Sequence, residues 1–205
     1  RGRARALAQL LLARRWSCLV AFDTRFMAGQ YALDAYRLLD SAGATALFGP
    51  SAAPLPAVEL ALEQRKADCA LVLTAGNRPY WFGGMTVIAP AADLPPLDPA
   101  PAAQEPPFPP LPIDAAERGQ LDLRAPYLER LRGEVDIEAM RRAPLTVFVD
   151  PMNGTASGLV PAAFGEGAQA RAVEINRETD ALFGRQTPQP AEVGLNRLRK
   201  LVKES

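Results

Sequence analysis

Residues 18–22, 45–48 and 69–73 are short apolar runs of strand length, and a segment of helical periodicity precedes each of them. Residues 5–14 carry Leu7, Leu10 and Leu11 on one side, which suits a helix lying on a sheet. Residues 28–41 place Tyr31, Ala32, Ala35, Leu38 and Leu39 at helical spacing, and Ala42-Gly43 supplies a stop. A turn-rich connection, residues 49–56, feeds a third helix over about 56–66. A fourth strand, residues 85–88, follows the third after a short loop. Segments of this length between strands allow parallel, right-handed crossovers. The alternation therefore predicts an α/β fold, a three-layer α/β/α domain with a mostly parallel mixed sheet. In such sheets ligands sit outside the carboxyl ends of the strands, so loops 23–25, 49–53 and 74–78 are expected to gather on one edge.

Residues 90–112 are dense in proline, with pairs at 95–96, 106–107 and 109–110, and can continue neither a helix nor a central strand. Residues 91–122 read as a linker between a first domain, 1–90, and a partial second α/β domain, 123–205. A PxxP ligand for a partner domain is the alternative reading of the same prolines. The second domain shows helices at 125–131 and 136–142, with Leu128, Leu131, Val135 and Met140 as inward positions. A strand at 145–149, a helix at 160–164, a strand at 170–175 and a helix at 192–203 complete it.

Lys+Arg and Asp+Glu are balanced at 23 each, so no global field recruits nucleic acid or an anionic membrane. Apolar content of 48% and charged content of 22% are those of a globular chain, and no apolar run reaches the length of a membrane span. The chain begins Arg-Gly-Arg without an initiator Met, which reads as a trimmed or internal piece, and Arg14-Arg15 break any signal-peptide pattern. Cys18 and Cys69 fall inside expected strands as buried thiols, and a cytoplasmic location is the default. The chain contains no histidine, which removes the commonest general base and zinc ligand.

The loop after the third strand reads Thr74-Ala75-Gly76-Asn77-Arg78-Pro79, then Tyr80-Trp81 and Phe82-Gly83-Gly84-Met85-Thr86-Val87. It resembles the phosphoserine loop of the α-D-phosphohexomutase superfamily, the phosphoglucomutases and phosphomannomutases. Thr74, Ala75, Pro79, Gly84 and Val87 match that frame. Three further segments carry the resemblance: Asp23-x-Arg25 after the first strand, Asp150-Pro151-Met152-Asn153-Gly154, and Ile175-Asn176 with Asp180, Phe183 and Pro188-x-Pro190. The proline of the pair before the third helix is kept as Leu55-Pro56, without its hydroxyl. The resemblance implies the first domain of such an enzyme and the opening of the second.

By the same resemblance, Gly76 stands where the family's serine carries the phosphoryl group and helps hold magnesium. Asn77 stands for the assisting histidine, Thr86 for the lysine proposed as acid/base, and Asn153 for a second histidine. A glycine has no oxygen to phosphorylate, so these degenerate positions leave no catalytic residue of the usual kind. The nearest hydroxyl that could substitute is Thr74, with Ser51 on the facing loop behind it. Arg25 and Arg78 are candidate phosphate-binding guanidinium groups, and Ser51 is a further candidate binding residue. Residues 150–158 could cradle an anion with backbone N–H groups. Tyr80, Trp81 and Phe82 cannot all face one way, so packing takes one or two and an exposed Trp81 or Phe82 suits a protein contact.

The superfamily's magnesium-binding acidic loop has no counterpart within these residues. No metal or cofactor is expected in this chain, and magnesium belongs to a complete active mutase. Three readings stand. One is a catalytically silent relative serving as a binding, assembly or regulatory module. Another is a fragment of an active mutase with altered chemistry, interconverting hexose 1-phosphate and 6-phosphate. The third is a sugar-phosphate sensor using Arg25 and Arg78. The expected partners are a protein or the remainder of a longer chain, a further copy of the chain, or a sugar phosphate, and neither nucleic acid nor membrane.

Overall fold

A computed structural model of the chain describes residues 1–89, 94, 95, 97, 119–191 and 194–205. Most of the proline-rich stretch, and with it the PxxP reading, lies outside the described residues. The chain divides into two compact units. The first comprises Arg1–Asp23, Met27–Thr74 and Gly84–Leu123, and the second Thr24–Phe26, Ala75–Gly83 and Arg124–Ser205.

The first unit contains α1 (Gly2–Arg14), β1 (Ser17–Phe22), α2 (Ala28–Ser41), β2 (Thr45–Phe48), α3 (Leu55–Glu63), β3 (Cys69–Leu73) and β4 (Met85–Ile88). The strands form one sheet in the order β2-β1-β3-β4. β1 pairs in parallel with β2 and β3, and β4 closes the edge antiparallel to β3. A strand covered on both faces must be apolar throughout, and in β1 Cys18, Leu19, Val20, Ala21 and Phe22 are all buried. Cys18, Val20 and Phe22 share one face with Phe48, Cys69 and Leu71, packed under Leu7 and Leu11 of α1 and Leu33, Tyr36 and Leu39 of α2. Leu19, Ala70 and Val72 lie on the alternate register of the same strands, and α3 packs on β3 with Val58 fully buried. The mixed α/β/α layering expected from the alternation is thus the one observed.

In the first unit two helix boundaries differ by three residues from the sequence reading. α1 begins at Gly2 rather than at residue 5, because Ala4 adds a turn to the buried row of Leu7, Ala8 and Leu11. α3 ends at Glu63 rather than 66, where Arg65 turns left-handed at φ 55° and Lys66 N–H closes onto Ala61 O. Tyr31, expected on the inward face of α2, is 56% exposed. The buried row is centred on Ala32, Tyr36 and Leu39, and Tyr31 stands roughly a third of a turn outside it.

Cys18 and Cys69 are register partners across β1 and β3, both fully buried and both unoxidised. The neighbouring thiol, then burial, pushes the Cys18 thiol well above its ordinary range, so it packs as a neutral apolar group. At the opposite end of these strands from the loops, Ser17 N–H and Oγ–H both donate to Asp68 Oδ2 at 2.8 Å. These bonds hold the Asp68 carboxyl below its usual range. A depressed carboxylate stabilises the fold above its unfolded pKa and loses that effect as pH falls through the folded one. Asp68→Asn is expected to reduce stability by about 1 kcal/mol at pH 7. In urea melts the gap from wild type should narrow as pH falls below the ordinary carboxylate range and close once the folded carboxyl is protonated. A gap that persists at low pH would assign the effect to packing instead.

Residues 119–121 lie beside β2, with Phe48 N–H donating to Gly119 O and Leu121 N–H to Phe48 O, both at 2.9 Å. The sequence reading leaves these residues in the linker; in the structure they belong to the first unit, and Leu123 is buried there.

The second unit contains α4 (Arg124–Glu134), α5 (Ile137–Arg142), β5 (Thr146–Val149), α6 (Leu159–Phe164), β6 (Arg171–Glu174), a short 3-10 turn at Phe183–Arg185 and α7 (Asn196–Glu204). β5 and β6 form a parallel pair, Thr146 opposite Arg171. Asp136 caps α5 by accepting the Ala139 N–H at 2.9 Å. Arg132 donates to Ala162 O and Ala163 O, satisfying carbonyls at the end of α6, and Arg124 donates to Thr155 O and Ser157 O.

Val135 and Met140, expected to be buried, are 50% and 43% exposed. Val135 falls in the turn between α4 and α5, outside either helix, and the half-buried row of α5 is Ile137 and Arg141 instead. The last helix starts at Asn196 rather than at residue 192, with Gly194 and Leu195 in a turn before it. Among the described residues no helix is long and apolar enough to cross a membrane.

Candidate functional site

Because β1 and β3 run parallel with Phe22 opposite Leu73, the next residues, Asp23 and Thr74, emerge side by side. Asp23 N–H donates to Leu73 O at 3.1 Å, and Thr74 N–H donates to Gly84 O at 3.0 Å. The Thr74 hydroxyl donates to Asp23 Oδ2 at 2.7 Å. The β2 connection joins the same edge, since Gly49 N–H donates to Val20 O and Ala53 N–H to Phe22 O. Ser51 is exposed on that connection. Within the first unit, therefore, the expected loop edge exists, and at its centre a hydroxyl is clasped by a carboxylate.

The rest of both motifs belongs to the second unit, and Arg25 organises it. Only 6% exposed, its guanidinium faces the loop backbone. Nη1 donates to Pro79 O at 3.0 Å and Phe82 O at 3.1 Å, while Nη2 donates to Gly76 O at 2.6 Å and Arg78 O at 2.8 Å. A planar fork of five N–H donors reaches more carbonyls over a wider span than the three donors of a compact ammonium. The Phe183 ring lies 5.4 Å from the Arg25 guanidinium carbon. The sequence reading sets Arg25 beside Arg78 as a pair of anion binders. In the structure Arg25 donates to main-chain oxygens, and the Arg78 guanidinium lies over the Phe82 ring at 5.4 Å.

At the apex of this loop Gly76 has φ 57°. A Cβ built there would meet nothing within 4 Å, so the absent side chain is not a response to crowding. Gly76 and Asn77 are exposed, and Thr86 is exposed on β4 opposite Val72. Trp81 is 68% exposed and Phe82 41%, with Tyr80 half-buried and meeting Trp81 edge-on at 4.9 Å. Packing takes one ring of the triplet and leaves two at the surface.

The segment after β5 is built from the remaining matched residues. Asp150 accepts from Met152 N–H at 2.9 Å and from Asn176 Nδ2, while Arg197 donates to Asn176 Oδ1 at 3.1 Å. Met152 and Asn153 are left-handed at φ 52° and 59°, a conformation asparagine tolerates better than most residues. Asn153 donates from its backbone to Asn176 O and from Nδ2 to Glu178 O. Gly154 leaves no room for a side chain, since a Cβ would sit 2.9 Å from Pro151 O. A small cleft of about 40 Å³ opens between Asp150, Asn153, Asn176 and Gln186, room for one or two waters. Asp180 accepts Leu182 N–H and Gly184 N–H, both at 2.9 Å, which holds its carboxyl below the usual range.

Magnesium needs several oxygen ligands, carboxylates foremost. Among the described residues no group of three or more Asp, Glu, Cys or His side chains converges. Two signals escaped the sequence reading. The Thr74–Asp23 bond follows from the parallel register, and the Arg25–Phe183 contact joins two matched motifs far apart in the chain.

This combination, a mostly parallel α/β sheet whose third strand runs into a Thr-Ala…Pro loop, and an Asp-Pro-Met-x-Gly turn after the first strand of a parallel pair, is that of a phosphosugar mutase type of scaffold. Residues 3–96 match the model of phosphoglucomutase/phosphomannomutase alpha/beta/alpha domain I, and residues 125–205 match that of domain II. The chain belongs to the phosphoglucomutase/phosphomannomutase family. A phosphoglucomutase/phosphomannomutase from Thermococcus kodakarensis is 29% identical over 156 residues, covering 74% of this chain and 34% of the relative. A crystal structure assigned to the phosphomannomutases, from Thermus thermophilus, superposes with a TM-score of 0.76 at 24% identity, over 98% of this chain and 46% of that one. A phosphoglucomutase/phosphomannomutase family protein from Burkholderia thailandensis gives 0.71 at 21% identity, over 100% and 45%. The chain thus spans less than half the length of these relatives.

Proposed function

We propose that this chain is a catalytically silent member of its family, acting as a binding, assembly or regulatory module. The observation that carries the reading is the loop apex. Gly76 stands exposed and uncrowded where a phosphate-carrying oxygen is needed, and Arg25, the nearest matched cation, is buried against the loop's own carbonyls. Phosphoryl transfer depends on placing a carrier, cations and an acid/base together, and members of such a unit lose activity together. Asn77 and Thr86 supply neither the imidazole nor the ammonium of the family pattern.

Incubation with glucose 1-phosphate, a hexose bisphosphate primer and magnesium is expected to give no product above a blank, and clear turnover would overturn the reading. Gly76→Ser is expected to fold, since the Cβ has space, with a loss of about 1–2 kcal/mol from the left-handed backbone. It is expected to remain inactive in the same assay, because the oxygen alone does not restore the acid/base.

One observation favours a second reading, a fragment of a mutase with altered chemistry. The Thr74 hydroxyl and the Asp23 carboxylate are at the separation of a nucleophile and its base. Mass spectrometry after exposure to hexose bisphosphate would then find a phosphate on Thr74 or Ser51, and an unmodified chain removes that reading.

A further inference from the structure

We propose that Arg25 is the shared strut of one cooperative element, residues 76–82 with residues 180–185, so that order in the second segment sets order in the first. The inference goes beyond the silent-module reading and does not depend on whether the chain turns over sugar phosphate.

The side chains of the loop are little buried. Gly76, Asn77 and Arg78 are exposed, and so are Trp81 and Phe82, leaving no fully buried side chain between residues 76 and 82. Its internal backbone bonds are turn bonds, Arg78 N–H to Ala75 O at 3.2 Å and Phe82 N–H to Pro79 O at 3.0 Å. Arg25 reaches both ends of the loop, from Gly76 O to Phe82 O, so its placement decides the path between them. Arg25 also meets the ring of Phe183. That ring is 7% exposed and its backbone is left-handed at φ 50°, a costly conformation for an aromatic residue that needs surrounding bonds to hold it. The bonds come from Asp180, whose carboxylate takes Leu182 N–H and Gly184 N–H and whose carbonyl takes Phe183 N–H at 2.9 Å. The loop, the guanidinium and the Asp180 turn are therefore linked in series. Coupling of this kind is reciprocal: whatever engages the loop should also steady the turn.

Hydrogen exchange of the 205-residue chain, read on peptides covering residues 76–83 and 180–186, tests this directly. Phe183→Ala is expected to speed exchange in the loop about three- to tenfold, through loss of the ring's contact with Arg25. Arg25→Met should speed both segments, and adding Phe183→Ala to it should leave loop exchange no faster. Loop exchange unchanged in Phe183→Ala, or effects of the two replacements that simply add, would overturn the proposal. Exchange in β3 serves as the control for general unfolding. If Phe183→Ala also loosens β3, Phe183→Leu decides, since it keeps apolar volume and removes only the ring face: a faster loop supports the strut, and an unaltered loop refutes it.

Discussion

Phe48→Ala is expected to lower the unfolding free energy of the first unit by about 3–5 kcal/mol. Phe48 is fully buried, with its ring 5.5 Å from Tyr36 and 6.1 Å from Phe22. Those contacts tie the end of β2 to β1 and to α2. Truncation opens a cavity where three elements meet, and a rigid sheet on one side limits how far the site can collapse. The backbone of the same residue bonds to Gly119 and Leu121, so its displacement also loosens the return of the chain past β2. Urea denaturation followed by far-UV circular dichroism reads the change as a fall in midpoint with little change in slope. Val202→Ala, at a position 55% exposed, is the comparison and should stay within about 0.5 kcal/mol of wild type. A Phe48→Ala effect near 1 kcal/mol would mean that the three elements close around the gap.

The first unit was legible because its strands are buried on both faces, which forces unbroken apolar runs such as residues 18–22 and leaves little ambiguity of register. Its helices were legible wherever a full apolar row is needed, and Tyr31 misled because an aromatic at the flank of α2 looks like part of that row until Tyr36 and Leu33 are seen to fill the inward face. The second unit offered weaker patterns. α4, α5 and α7 have no fully buried residue, so Val135 and Met140 carried no constraint that distinguishes inward from outward.

At the loop edge the matched motifs named residues, but not what those residues touch. Arg25 donates to carbonyls of residues 76, 78, 79 and 82, and a main-chain oxygen leaves no trace in residue type. An arginine near a phosphate-type loop therefore reads as a ligand for an anion until its donors are located.

Arg25→Met separates those two roles with a single replacement. If the guanidinium is a strut, its removal leaves carbonyls of a sparsely supported loop without their charged donor, and the loss should be about 2–4 kcal/mol. That is less than the sum of the separate bonds, because water can reach an exposed loop once it relaxes. Arg25→Lys should recover only a minor part, since a compact ammonium cannot span from Gly76 O to Phe82 O. If instead the guanidinium faces an anion, removing it should leave stability nearly unchanged in plain buffer and abolish stabilisation by added glucose 1-phosphate. Denaturation followed by Trp81 fluorescence in a Trp16→Phe background, with and without the sugar phosphate, distinguishes the cases. The strut predicts a large loss without ligand and the same loss with it, because a side chain already bonded to four main-chain oxygens has little left to offer a phosphate.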